Sequence, residues 1–122
     1  MNCYLMSEFD KIWDELLHVL RKKMLRNEPI KTLCRSVKNF ILEVGENYII
    51  VRSERSKSGT PRKILRKDFE LVYCKLLESP ISTLKDIREV IGRRAIICSI
   101  LALHQNIIGR CEHGKVILAL RE

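Results

Sequence analysis

Apolar residues return every three or four positions between Ser7 and Asn27. Phe9, Ile12, Trp13, Leu16, Leu17, Leu20 and Met24 fall on one face of an α-helix. Glu8, Asp10, Asp14 and Glu15 stand early in it, and Arg21, Lys22, Lys23 and Arg26 late. That order suits the helix dipole and is enough to explain the basic cluster. Ser7 is the expected N-cap, and Asn27-Glu28-Pro29 breaks the helix. Ile30 to Phe40 has no clear period and reads as a short extended piece followed by irregular or helical chain. Phe40–Val44 and Tyr48–Arg52, joined through Gly45-Glu46-Asn47, have the form of a β-hairpin, with Arg62–Leu65 returning as a third strand.

Helical spacing resumes over Asp68–Glu78, where Phe69, Val72, Tyr73, Leu76 and Leu77 form the stripe and Ser79-Pro80 the stop. Ile81–Leu84 is a short extended link. Ser82 or Thr83 then caps a brief helix reaching about Ile91, and Thr83-x-x-Asp86 has capping-box spacing. Gly92 turns the chain into a fourth helix, Arg93–His104. Ile107–Arg110 and Lys115–Leu120 close a terminal hairpin over the turn Cys111–Gly114. The fold class is α+β, in a single domain over 1–122.

Composition narrows this picture little: 46% hydrophobic and 31% charged residues in 122 describe an ordinary globular chain with room for a real core. The longest apolar stretch, Ala95–Leu103, is interrupted by Ser99 and too short to span a bilayer, so no membrane partner is expected. The N-terminus lacks the pattern of a secretory signal. Five scattered cysteines (Cys3, Cys34, Cys74, Cys98, Cys111), never paired as CxxC, suggest reduced thiols and a cytoplasmic location.

Charge changes the picture more. The segment RSERSKSGTPRKILRK holds Arg52, Arg55, Lys57, Arg62, Lys63, Arg66 and Lys67 against a single acid, Glu54. Each flank carries eight basic and seven acidic residues, so nearly all the net charge of +8 sits here. A near-neutral body with one cationic segment is the pattern of a polyanion binder, nucleic acid being the commonest such partner. Ser56, Ser58, Gly59, Thr60 and Pro61 mark the segment's centre as an exposed, mobile tip. A solvated loop is the plain alternative.

The elements DFELVYCKLL, ISTL, KDIREVIG, RRAIICSILALH and IIGRCEHGKVILAL run helix, short strand, helix, turn, helix, hairpin. That order resembles the winged-helix domain, a helix-turn-helix variant whose final hairpin is the wing. The resemblance covers the C-terminal half (68–122) and leaves 1–67, a helix plus β-hairpin and basic loop, outside it. It implies that the Arg93–His104 helix enters the major groove, with Arg93 and Arg94 at its N-terminus on the DNA and Arg110, His113 and Lys115 near the wing tip. In that helix Ile96, Ile97, Ile100 and Leu103 share a core face. The opposite face carries Arg94, Ala95, Cys98, Ala102 and Gln105, which suits close approach to DNA and equally packing on another helix or a second subunit.

No P-loop, GxGxxG, HExxH, GxSxG or CxxC occurs, so no catalytic residue, cofactor or metal is assigned. Cys111-x-His113, with His104 upstream, reads as a polar turn, and His18 as solvated. Tyr48, Tyr73 and Trp13 read as packing residues, which weakens an RNA-binding reading. The expectation is a non-enzymatic DNA-binding protein, a transcription regulator or an accessory to a DNA-acting effector. It would bind duplex DNA through residues 52–67 with Arg93, Arg94, Arg110 and Lys115. The alternative is a non-catalytic interaction module that docks on an acidic protein or forms a homodimer.

Overall fold

The computed structural model describes residues 6–56, 58–82, 87 and 93–121. The first helix, α1 (Met6–Leu25), follows the predicted stripe: Phe9, Ile12, Trp13, Leu16, Leu17 and Leu20 are all buried. It takes in Ser7 rather than being capped by it. At its end Asn27 adopts a left-handed φ of 53° while the Glu28 N–H reaches back to the Lys23 carbonyl at 2.8 Å. This closes the helix in the way the following Pro29 anticipates.

Four strands follow in an antiparallel sheet of order β1-β2-β3-β4: β1 (Ile30–Lys31), β2 (Lys38–Val44), β3 (Tyr48–Ser53) and β4 (Arg62–Leu65). Alternation assigns Ile41, Ile49, Val51 and Ile64 to the buried face, where α1 packs. A bulge between Ile41 and Glu43 breaks the alternation and leaves Leu42 exposed. The β2–β3 connection is anchored by Trp13, whose Nε1–H donates to the Glu46 carbonyl at 2.7 Å.

The second helix, α2 (Arg66–Glu78), buries Phe69, Val72, Tyr73 and Leu76 and builds an aromatic cluster with α1: Trp13 and Phe69 centroids lie 5.1 Å apart, Phe9 and Tyr73 5.4 Å. The predicted third helix falls mostly outside the described residues; of it only Ile87 is described, and it is fully buried. The last helix, α3 (Arg94–Leu101), is shorter than predicted. The N–H groups of Leu103 and His104 bond three residues back, so the chain tightens and leaves the helix before His104. The hairpin β5 (Ile107–Glu112) and β6 (Lys115–Leu120) turns through His113 and Gly114, both at positive φ (53° and 75°). That is the two-residue turn whose twist matches a hairpin. Ile81 forms a bridge with Leu118. One continuous apolar cluster runs from Phe9 to Leu118 and joins both halves. The mixed α+β class is therefore the observed one.

Two expectations are overturned. The thiols are not all reduced: Cys34 and Cys111, separated by 77 residues, form a disulfide with Cα atoms 5.1 Å apart. Cys74 is also disulfide-bonded, and Cys98 is a buried free thiol. Chain spacing holds no record of such a pairing, because folding alone brings the two cysteines together. Nor is the outer face of α3 open throughout: Cys98 is buried and the β1–β2 loop packs beside neighbouring Ser99, while Arg94, Ala95 and Ala102 are half-buried and Gln105 is exposed. The Leu33 N–H donates to Ser99 Oγ at 3.1 Å, and Ser99 Oγ–H donates to the Ala95 carbonyl at 2.7 Å. Beside them Gly109 lets β5 approach: a Cβ there would stand 2.4 Å from the Ala102 Cβ. Among the described residues, no helix is long and apolar enough to cross a membrane.

Candidate nucleic-acid interface

The period of a strand divides the basic segment. On β4, Arg62 pairs with Val51 and shares the parity of buried Ile64, whereas Lys63 pairs with Ile50 and projects from the other face. Lys63 Nζ lies 4.4 Å from the centre of the Tyr48 ring, and Arg52 lies 5.8 Å from that of Phe40, so these two cations sit on the outer face of the sheet over aromatic rings. Tyr48 also donates its hydroxyl to Glu43, and that hydrogen bond to a carboxylate is the leading cause of its raised pKa.

Arg66 is part-buried at the start of α2. It pairs with Asp10 and, at 2.8 Å, with Glu70, and its guanidinium lies over Phe9 and Trp13 at 5.4 and 6.0 Å. Arg93 lies against α2, its Nε 3.5 Å from Asp68 Oδ2. Arg110 pairs with Glu112 across 3.1 Å at the exposed end of the hairpin. Lys67 is exposed, and Lys57 lies outside the described residues.

The remaining predicted cations converge. Arg55, Arg62, Arg94 and Lys115 line one cleft of about 560 Å³ together with Arg35, which sequence reasoning passed over. They arrive from the turn after β3, the start of β4, the first residue of α3, the first residue of β6 and the β1–β2 loop. Among the described residues no Asp or Glu lines the cleft. Its walls also include Val37, Ala95, Ile96 and Val116 and the polar residues Thr32, Asn39 and Ser53.

Local bonding sets each wall. The β1–β2 loop closes on itself through Ser36 N–H to the Thr32 carbonyl at 2.9 Å and Val37 N–H to Thr32 Oγ1 at 3.0 Å, with Ser36 at a left-handed φ of 53°. The Cys34–Cys111 bond and the Leu33–Ser99 contact then fasten it to β5 and α3, which sets neighbouring Arg35 on the cleft. The predicted mobile tip is exposed but internally bonded. Arg55 N–H donates to Ser53 Oγ at 3.1 Å, Thr60 N–H to Ser56 Oγ at 3.2 Å, and Ser58 Oγ lies 2.5 Å from Thr60 Oγ1. At α3, the cap residue Arg93 offers no side-chain acceptor to the first-turn N–H groups, which leaves the positive end of the helix at the cleft wall formed by Arg94, Ala95 and Ile96.

A hydroxyl-rich annex of about 320 Å³ opens beside the cleft. It shares Asn39, Ser53, Arg62 and Ile96 with it and adds Val51, Ser56, Ser58, Thr60 and Pro61. Elsewhere, His104 is buried, its Nδ1 accepting the Asn106 N–H at 3.1 Å and its Nε2 lying 3.4 Å from Glu15 Oε1. With Cys111 committed to a disulfide, His104, Cys111 and His113 do not form a ligand set, and the described residues hold no group of three suited to a metal ion.

Compared with protein-family models, with curated proteins and with solved structures, the chain matches none of them.

Proposed function

We propose that this chain is a non-catalytic DNA-binding protein, a regulator or a recognition module beside a DNA-acting effector, and that it grips the phosphate backbone in the cationic cleft. The observation carrying this reading is the convergence of Arg35, Arg55, Arg62, Arg94 and Lys115 from separate segments on one concavity whose described lining holds no carboxylate. A concave cluster of cations focuses a positive potential that attracts a polyanion able to span it.

The winged-helix resemblance draws support from the Ile81–Leu118 bridge, which sets the link after α2 beside the final strand. Docking in this reading differs from the usual mode. The β1–β2 loop packs beside Ser99 of α3, so in this reading the helix meets DNA by its first residues, Arg94 and Ala95, which line the cleft, rather than along its length. The cytoplasmic location expected from scattered thiols loses that support, because Cys34, Cys111 and Cys74 are disulfide-bonded, a state at home in oxidising compartments.

The test is fluorescence anisotropy of a labelled random-sequence duplex across a salt series. With roughly five to seven phosphates engaged, the log–log slope is about −4 to −6. Absence of binding at low salt, or affinity independent of salt, overturns the reading.

A further inference from the structure

The cleft and its annex have different chemistries and a common wall. The larger lobe gathers the five cations. Among the described residues the annex has Arg62 as its single cation, and it is lined by Ser53, Ser56, Ser58 and Thr60 around apolar Val51, Pro61 and Ile96. A duplex backbone passing over the molecule needs only the first lobe. The second is a recess next to the phosphate site, with hydrogen-bonding groups and apolar flanks.

Asn39 stands at the junction, 6% exposed, and lines both lobes. Its Nδ2 donates to the Val37 carbonyl at 3.3 Å, the one hydrogen bond its side chain makes among the described residues. The rest of that amide retains a donor and an acceptor, the pair with which Asn reads the edge of a base. The larger lobe, at about 560 Å³, falls within the range of about 300–1,000 Å³ typical of small-ligand sites.

We infer that the cleft receives a single unpaired nucleotide of DNA, its phosphate among Arg35, Arg62, Arg94 and Lys115 and its base in the annex against Asn39, Pro61 and Ile96. This rests on the DNA-binding reading and specifies its substrate: a strand with a nucleotide already out of the stack. Such a nucleotide spares the cost of unstacking, which is the source of the preference.

The experiment compares three labelled duplexes of equal length by anisotropy: fully paired, with one unpaired dA, and with an abasic residue in place of that dA. The unpaired dA is expected to tighten binding at least tenfold over the paired duplex, and the abasic residue not to do so. In Asn39→Ala the ratio of bulged to paired affinity falls to within twofold of one. Thr60→Phe, which crowds the annex without changing its charge or the cations of the larger lobe, does the same should Asn39→Ala fail to fold. Equal affinity for paired and bulged duplexes, or an equal gain from the abasic residue, overturns the inference while leaving the phosphate grip standing. Failure to bind any of the three overturns both.

Discussion

Trp13 shows how one side chain ties sequence pattern to tertiary structure. Its ring fills the space between α1 and Phe69, and its indole N–H satisfies the Glu46 carbonyl of the first hairpin. Trp13→Ala removes both and should destabilise the fold by roughly 3–5 kcal/mol, read from a urea unfolding midpoint. Tyr73 sets a pH limit. Burial first, and then its hydrogen bond to Glu8 at 2.6 Å, push its phenol well above the usual value of 10.0. The folded state therefore holds this proton more tightly than the unfolded chain. Stability from this source is complete below about pH 10 and declines as pH rises beyond it, so urea midpoints should drop progressively above about pH 10, and less steeply in Tyr73→Phe. Cys98 follows the same sign: burial raises its thiol to about 12 against a smaller opposing effect of Arg94. A neutral-pH alkylating agent should label it only after unfolding, as mass spectrometry of native and denatured samples would show.

Among the elements, α3 and the β1–β2 loop form the decisive pair. A helix apolar on one side and small on the other asks for two partners, and here the sheet-side core supplies one and the loop beside Ser99 part of the other. The disulfide holds that second partner against β5. Replacing both Cys34 and Cys111 by Ser should cost about 2–4 kcal/mol, measured by denaturant titration against the oxidised protein. DNA affinity should fall as well, since the loop that presents Arg35 loses its tether. The basic segment behaves as several elements rather than one. Its strand residues divide between two faces, Arg66 turns inward to Asp10 and Glu70, and Arg55 hangs on a turn closed by Ser53.

At the scale of the whole molecule, the binding surface is a seam between the sheet and the α3–hairpin part. Charge reversal at Arg35 or Arg94 should weaken binding to all duplex sequences alike and lower the salt slope by about one per residue. Reversal at Arg66 should instead lower stability, because it breaks two internal ion pairs. Comparing affinity with unfolding midpoint across these variants separates the two roles. Of the site, Arg55, Arg62, Arg94 and Lys115 were legible as cations worth naming. Arg35 was not, because it stands in a stretch without period and in a flank whose charges nearly cancel.

Period and chain order by themselves determined the α+β class, the span of α1, the first hairpin with its returning strand, α2 and the terminal hairpin. Each depends on contacts between near neighbours or on a single amphipathic face, and both are written in local spacing. Folding decided the rest: the Cys34–Cys111 bond, the loop beside α3, the division of residues 52–67 and the convergence of five cations. Those depend on which distant segments meet, and net charge or residue type along the chain carries no measure of that distance. The cationic cleft belongs to this second class, since its lining comes from distant segments that approach one another only once the core has closed.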